Sequence, residues 1–195
     1  MALLERDVVI AGAGIAGLAL AATLLRKGLS VAILEAGERP TLPVLGTALS
    51  DWDQRVSALT PHSTDFLEAL GVWPRLQERR VGPYEHMVVW DAVGTGRIHF
   101  SAASLGIPKL GDIVENRLTI DALLQVVEGY QDLDLLWGES FDRVYYPDDT
   151  ALCVTTSSGR QLQTPLLVGA DGARSSVRER QGFPVRQWSY DQHAV

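Results

Sequence analysis

The chain has 195 residues, of which 46% are hydrophobic and 21% charged, and a formal net charge of −7. Those proportions suit one globular domain, or a domain with part of another, and the acidic balance without any basic run excludes a nucleic-acid binder. The single cysteine, Cys153, rules out an internal disulfide or a cysteine metal cluster, and the four histidines (His62, His86, His99 and His193) show no ligand spacing, so no metal site is expected.

The N-terminal residues run straight into an apolar stretch without the basic start or cleavage site of a signal peptide. No window approaches ~20 uninterrupted apolar residues, so a cytoplasmic location is expected, with attachment to the face of an inner membrane left open. Val8 to Ala11 reads as a strand ending in Gly12-Ala13-Gly14-Ile15-Ala16-Gly17. A helical run follows to Gly28, and a second apolar run, Val31 to Leu34, closes on Glu35 and Ala36. Each part has a physical task in holding an adenine dinucleotide. Gly12 permits the tight turn, Gly14 lets backbone approach a pyrophosphate, and Gly17 lets the helix pack on the strand. Ile15 and Ala16 open the helix, whose N-terminus turns free amides and the positive dipole end toward phosphates. Glu35 can accept from ribose hydroxyls and would repel a 2′-phosphate, which argues against NADP in this site. The competing reading, glycines that serve packing alone, leaves the acid at a strand's C-terminal end unexplained. The motif by itself does not choose between FAD and NAD.

Residues 36–54 hold two prolines and two glycines with no period, a long loop of the kind that carries function. Arg55 to Leu59 is extended. Thr60-Pro61 reads as a cap and first turn of a helix bearing Leu67 and Leu70 and stopped by Gly71. Residues 84–102 alternate about a turn at Val93 to Gly96, a hairpin. Gly111 to Glu115 reads as a strand and Leu118 to Val127 as a helix. Residues 132–168 read as several strands with a turn at Ser157-Ser158-Gly159. This strand-rich course departs from the regular βαβ alternation of a plain NAD dehydrogenase, which favours FAD. The second motif, Leu166 to Arg178, is again strand, glycine turn and helix start. It brings Asp171 and Gly172 to the end of the sheet that carries the first motif. Asp171 can accept from a ligand's hydroxyls or hold the turn, and Ser175 or Ser176 can cap the following helix.

Together, the first motif, Arg55 to Leu59 and Gly169 to Arg178 make the chain resemble the flavoprotein aromatic hydroxylases related to para-hydroxybenzoate hydroxylase. Leu70 to Trp73, Val88 to Trp90, Ile113 to Asn116 and the ending from Trp188 to Val195 resemble the ubiquinone-biosynthesis members. The resemblance implies an α/β, Rossmann-like FAD-binding domain of the GR2 type with interleaved β-rich substrate-domain segments. The FAD-binding parts would be residues 1–83 and 111–182, the β-rich insertion residues 84–110, and the start of a substrate-domain sheet residues 183–195. Gly12, Gly14, Ile15, Ala16, Gly17, Glu35, Ala36, Arg55, Arg117, Asp171 and Gly172 are the implied cofactor-binding residues, with Asn116 an equal candidate to Arg117. The implied reaction is ring hydroxylation of a polyprenylated phenol by O2, with NADPH or NADH reducing the FAD and a C4a-hydroperoxide of the flavin transferring the oxygen. No catalytic base is identifiable, and His86, His99 and Tyr190 are expected to be structural. Because members are considerably longer, the chain is expected to be an N-terminal portion that does not turn over alone. A membrane-peripheral biosynthetic complex and a homo-oligomer are both compatible with the resemblance. Another two-motif flavoenzyme, such as a halogenase or polyprenyl reductase, and a non-catalytic flavin-binding module are the alternatives.

Overall fold

The structure is a computed structural model and describes residues 3–41, 45, 46, 48–147 and 151–191. In chain order the elements are β1 (Leu4–Glu5), β2 (Val8–Ala11), α1 (Ile15–Arg26), β3 (Val31–Glu35), β4 (Val56–Leu59), α2 (Pro61–Ala69), α3 (Trp73–Gln77), β5 (Gly82–Tyr84), β6 (His86–Trp90) and β7 (Arg97–Ser101). There follow α4 (Ala102–Leu105), β8 (Gly111–Glu115), α5 (Asn116–Val127), β9 (Leu133–Trp137), β10 (Phe141–Tyr145), β11 (Leu152–Thr156), β12 (Gln161–Thr164), β13 (Leu166–Gly169) and α6 (Ser176–Arg180).

The centre is a parallel sheet in the order β13-β2-β3-β9. Its strands are apolar on successive residues because both faces are covered, as parallel sheets require. Val8, Ile10, Val31 and Ile33 face a core shared with Leu18 and Leu25 of α1 and Leu118 and Leu123 of α5. Val9, Ala11, Ala32 and Leu34 face a second core with Phe141, Val154, Leu162 and Val177. That second core lies under a four-stranded sheet, β1-β12-β11-β10, so the molecule is layered helix, parallel sheet, mostly antiparallel sheet. Each large apolar side chain so buried contributes about 1.5–3 kcal/mol. A third sheet, β4-β8-β5, packs beside the helices, and among the described residues β6 and β7 pair only with each other.

Register sets the site. Leu166, Val8 and Val31 align across the central sheet, as do Gly169, Ala11 and Leu34. The strands leading into both glycine turns and into Glu35 therefore end side by side, where open α/β sheets bind ligands.

Several elements differ from the sequence expectation. Residues 160–170, the last of the strand segments expected after residue 132, form two strands in different sheets, Gln161–Thr164 and Leu166–Gly169, because Pro165 breaks the ladder. The Thr164 hydroxyl bridges the break, donating to the carbonyls of Asp7 and Leu166 and accepting from the Leu166 amide. The helix after Pro61 stops before Gly71, at φ +74°, as expected, but Val72 and Trp73, expected to complete its apolar face, instead lead into a separate short helix from Trp73. Residues 183–191, expected to start a further sheet, form no strand, and the end of the chain from residue 192, with His193, lies outside the described residues. No helix among the described residues is long and apolar enough to cross a membrane.

Candidate functional site

The two glycine turns meet across a cavity of about 420 Å³. Gly12, Gly14, Glu35, Ala36, Asp171 and Gly172 all line it, with Leu34, Ser140, Phe141, Arg174 and Ser176. Of the remaining expected residues, Gly17 is buried behind the turn, and Ile15 and Ala16 line a neighbouring hollow of about 480 Å³ with Ser57, Leu59, His62 and Phe66. Arg55 and Arg117 line neither.

Each glycine of the first turn answers to its own constraint. Gly12 has φ +107°, and a Cβ there would lie 2.4 Å from the Ala170 carbonyl oxygen, so the first turn is shaped against the second. A Cβ on Gly17 would lie 2.0 Å from the Gly12 carbonyl oxygen. A Cβ on Gly14 would meet nothing within 4 Å. Protein packing therefore does not require glycine at 14, and the open approach lies on the wall of the cavity. Gly14 is also the N-cap of α1, with no capping side chain and no acidic residue in the first turn. Among the described residues no acceptor meets the amides of Gly14, Ile15 or Ala16, so three donors and the helix dipole face outward.

The acids are more tightly engaged than the sequence suggests. Glu35 Oε2 accepts from the Ala13 amide at 2.8 Å and Oε1 from the Gly37 amide at 2.9 Å. Each oxygen keeps a further acceptor position, and the carboxylate is fixed at the cavity wall. The amides of Gly138 and Glu139 donate to the carbonyls of Gly37 and Glu35, which brings Ser140 and Phe141 to the opposite wall. Glu139 is held below the usual carboxylate range, first by the Ser158 hydroxyl, which donates to it at 2.5 Å.

Asp171 accepts from the Ser175 hydroxyl at 2.5 Å, from the amide and hydroxyl of Ser176 at 2.7 and 3.0 Å, and from the Val177 amide at 3.2 Å. Partial burial pushes its carboxyl up, but the hydrogen bonds from Ser175, Val177 and Ser176 outweigh this and hold it below its ordinary value. Three of these donors meet Oδ2 and one meets Oδ1, so Asp171 holds the turn while Oδ1 keeps a further acceptor position. Ser175 caps α6, its hydroxyl accepting from the Arg178 amide at 3.0 Å.

The sequence does not single out Ser140, Phe141 or Arg174, and it offers Ser176 only as a helix cap. Arg174 and Ser176 lie within the second motif, and among the described residues Arg174 is the sole arginine or lysine lining the cavity. Ser140 and Phe141 arrive through the β3–β9 pairing, which no local pattern announces. Arg55 is exposed, its amide bound to Asp53 and its carbonyl accepting from the Asn116 amide. Arg117 donates to the Glu115 carboxylate at 2.9–3.0 Å and to the Asp51 carbonyl. The Asn116 side chain accepts from the Ser57 hydroxyl at 2.6 Å.

Among the described residues no group of three or more His, Cys, Asp or Glu is placed to hold a metal ion. The cavity suits an adenine dinucleotide: an open backbone approach at Gly14, unpaired helix amides for phosphates, and an immobilised acid with acceptor positions to spare.

Comparison with known proteins agrees with this geometry. The profile of the FAD binding domain family matches residues 5–194. The chain is 34% identical over 189 residues to 3-demethoxyubiquinol 3-hydroxylase of Escherichia coli, covering 97% of this chain and 47% of that protein. It is 32% identical over 201 residues to the mitochondrial ubiquinone biosynthesis monooxygenase COQ6 of Homo sapiens, covering 97% of this chain and 42% of that protein. It thus spans a little under half the length of these curated relatives. Among solved structures, Pseudomonas aeruginosa PqsL in complex with 2-aminobenzoylacetate is similar at TM-score 0.77 and 24% identity, covering 95% of this chain and 48% of that one. The flavin-dependent monooxygenase PieE, in complex with FAD and substrate, is similar at TM-score 0.71 and 23% identity, covering 92% of this chain and 32% of that one.

Proposed function

Because the chain belongs to the FAD binding domain family, we propose that it forms the FAD-holding part of an aromatic monooxygenase of ubiquinone biosynthesis. The observation that carries this reading is the cavity between two glycine turns, with Gly14, the N-cap of α1, on its wall. The two named relatives, which match nearly the whole chain, support the choice of pathway.

Bound FAD would supply the redox and oxygen chemistry, and the protein's share is to bind, orient and shield. In this reading Gly12, Gly14 and Gly17 shape the loop, and the amides from Gly14 to Ala16 receive the pyrophosphate. Glu35 and Ala36 hold the adenosine side, where the Glu35 carboxylate accepts from ribose hydroxyls. The turn at Asp171 and Gly172, closed by Ser175 and Ser176, presents backbone to the cofactor's other side, and Arg174 adds a positive charge at the rim. Arg55 is the proposed contact on the flavin side, and Arg117 acts on the cofactor through the loop it holds. The proposed electron donor is NADPH or NADH and the proposed substrate a polyprenylated phenol with O2. Association with a membrane surface or a biosynthetic complex, and self-association, are consistent with a lipid substrate.

The test is ring hydroxylation by the protein joined to the remaining length its relatives carry. With NAD(P)H and ¹⁸O2, a prenylated phenol should gain one labelled oxygen, read by mass spectrometry. Oxidation of NAD(P)H with no labelled product from any phenol would overturn the assignment as a hydroxylase while leaving FAD binding intact.

A further inference from the structure

Glu115 ends β8 and is 3% exposed. A carboxylate so buried is strongly destabilising unless charge partners and hydrogen bonds compensate it. Here Oε1 lies 3.1 Å from Arg80 Nε, while Oε2 accepts from Arg117 Nε at 3.0 Å and from the Asp53 amide at 2.7 Å. The same two guanidiniums grip one stretch of backbone. Arg80 donates to the carbonyls of Gly46 at 3.4 Å and Asp51 at 2.8 Å, and Arg117 donates to the Asp51 carbonyl as well. The Trp52 ring sits on the Arg80 guanidinium, 4.2 Å from centroid to Cζ. A single buried acid therefore organises two cations whose remaining hydrogen bonds go to the end of the loop between β3 and β4.

That loop end delivers two side chains. Trp52 is 50% exposed and borders a hollow of about 400 Å³ with Val56, Arg79 and Ile113. Arg55 follows directly, its amide bound to Asp53 and its carbonyl accepting from Asn116, the first residue of α5. Among the described residues no partner meets the Arg55 guanidinium. The backbone at Arg55 is thus anchored on both sides while its charge is left to face outward.

We propose that Glu115 is a positioning residue. Through Arg80, Arg117 and the Asp53 amide it fixes the end of the β3–β4 loop so that Arg55 is presented to the dinucleotide. This rests on the reading of the chain as an FAD holder. The arrangement explains why a buried charge persists on a strand that apolar residues could complete. It also makes Arg117 a holder of the loop.

Amide hydrogen exchange and FAD titration on the same samples test it. In the cofactor-free chain, Glu115→Gln should speed exchange at the Asp53 amide at least about tenfold, because a neutral amide that attracts neither guanidinium replaces the charged acceptor, while β2 and β3 amides stay protected. FAD should bind about tenfold more weakly. In a double-mutant cycle, Glu115→Gln should weaken FAD binding little further once Arg55→Ala is present. If Glu115→Gln does not fold, Arg117→Gln removes a guanidinium about one-third exposed, leaves Arg80 and the Asp53 amide on the acid, and should show the same pattern at smaller size. Unchanged exchange at Asp53, or an equal loss of affinity with and without Arg55, overturns the inference in a chain that binds FAD. A wild-type chain that takes up no FAD overturns the functional reading itself, and the presentation of Arg55 with it.

Discussion

Gly14 and Gly17 belong to one motif and do opposite things. A Cβ at 17 collides with backbone, whereas a Cβ at 14 enters open space. Gly17→Ala should therefore destabilise the fold by about 1–3 kcal/mol, as overpacking does. Gly14→Ala should leave stability within about 0.5 kcal/mol and weaken FAD binding about tenfold, because only the ligand needs that space. Urea denaturation and FAD titration of both variants check this, and the reverse ranking would contradict it. Asp171 gives a pH prediction. Its carboxyl is held below its ordinary value of 3.8, so its stabilisation is complete above that pH and is lost as pH falls through the depressed value. The stability gap between wild type and Asp171→Asn should be widest near neutrality and shrink below pH 3.8. A gap that grows in acid would show that the hydrogen bonds to Asp171 do not favour its charged form. At this scale sequence reading is strong for the glycines, whose conformational needs are local. It is weaker for the two acids, whose donors are set by how the turns close.

At the scale of elements, the joint between β12 and β13 shows what tertiary context adds. Residues 160–170 look like one strand because no glycine or charged residue interrupts the run from Gln161 to Val168. The structure sends the two halves to different sheets, and the almost fully buried Thr164 hydroxyl satisfies backbone at the step. Thr164→Val keeps the shape and loses those bonds, so unfolding free energy should drop by about 1–3 kcal/mol. An unchanged midpoint of denaturation would mean that the proline alone defines the joint. The strand–turn–helix–strand unit from Val8 to Glu35 was legible because periodicity and glycines agree over its whole length. The Glu115 cluster was not, because its partners come from β8, α5, the segment after α3 and a patternless loop.

At the scale of the molecule, the parallel sheet with both faces covered accounts for the continuous apolar strands, and its register accounts for the convergence of the two motifs. The β6–β7 hairpin is different. Among the described residues it pairs only with itself and leaves Val89, Trp90, Ile98 and Phe100 exposed. Sequence alternation predicted the hairpin but could not say what lies against it. The curated relatives extend well beyond the length matched here, so the chain's own residues are most directly tested as a cofactor holder. The decisive measurement is equilibrium titration of the purified chain with FAD, followed by flavin fluorescence and absorbance, with NADP+ as competitor. Saturable one-to-one binding of FAD, weakened by Gly14→Ala and not displaced by NADP+, is the predicted result. A folded chain that binds no FAD, or that prefers NADP+ despite Glu35, would contradict the account.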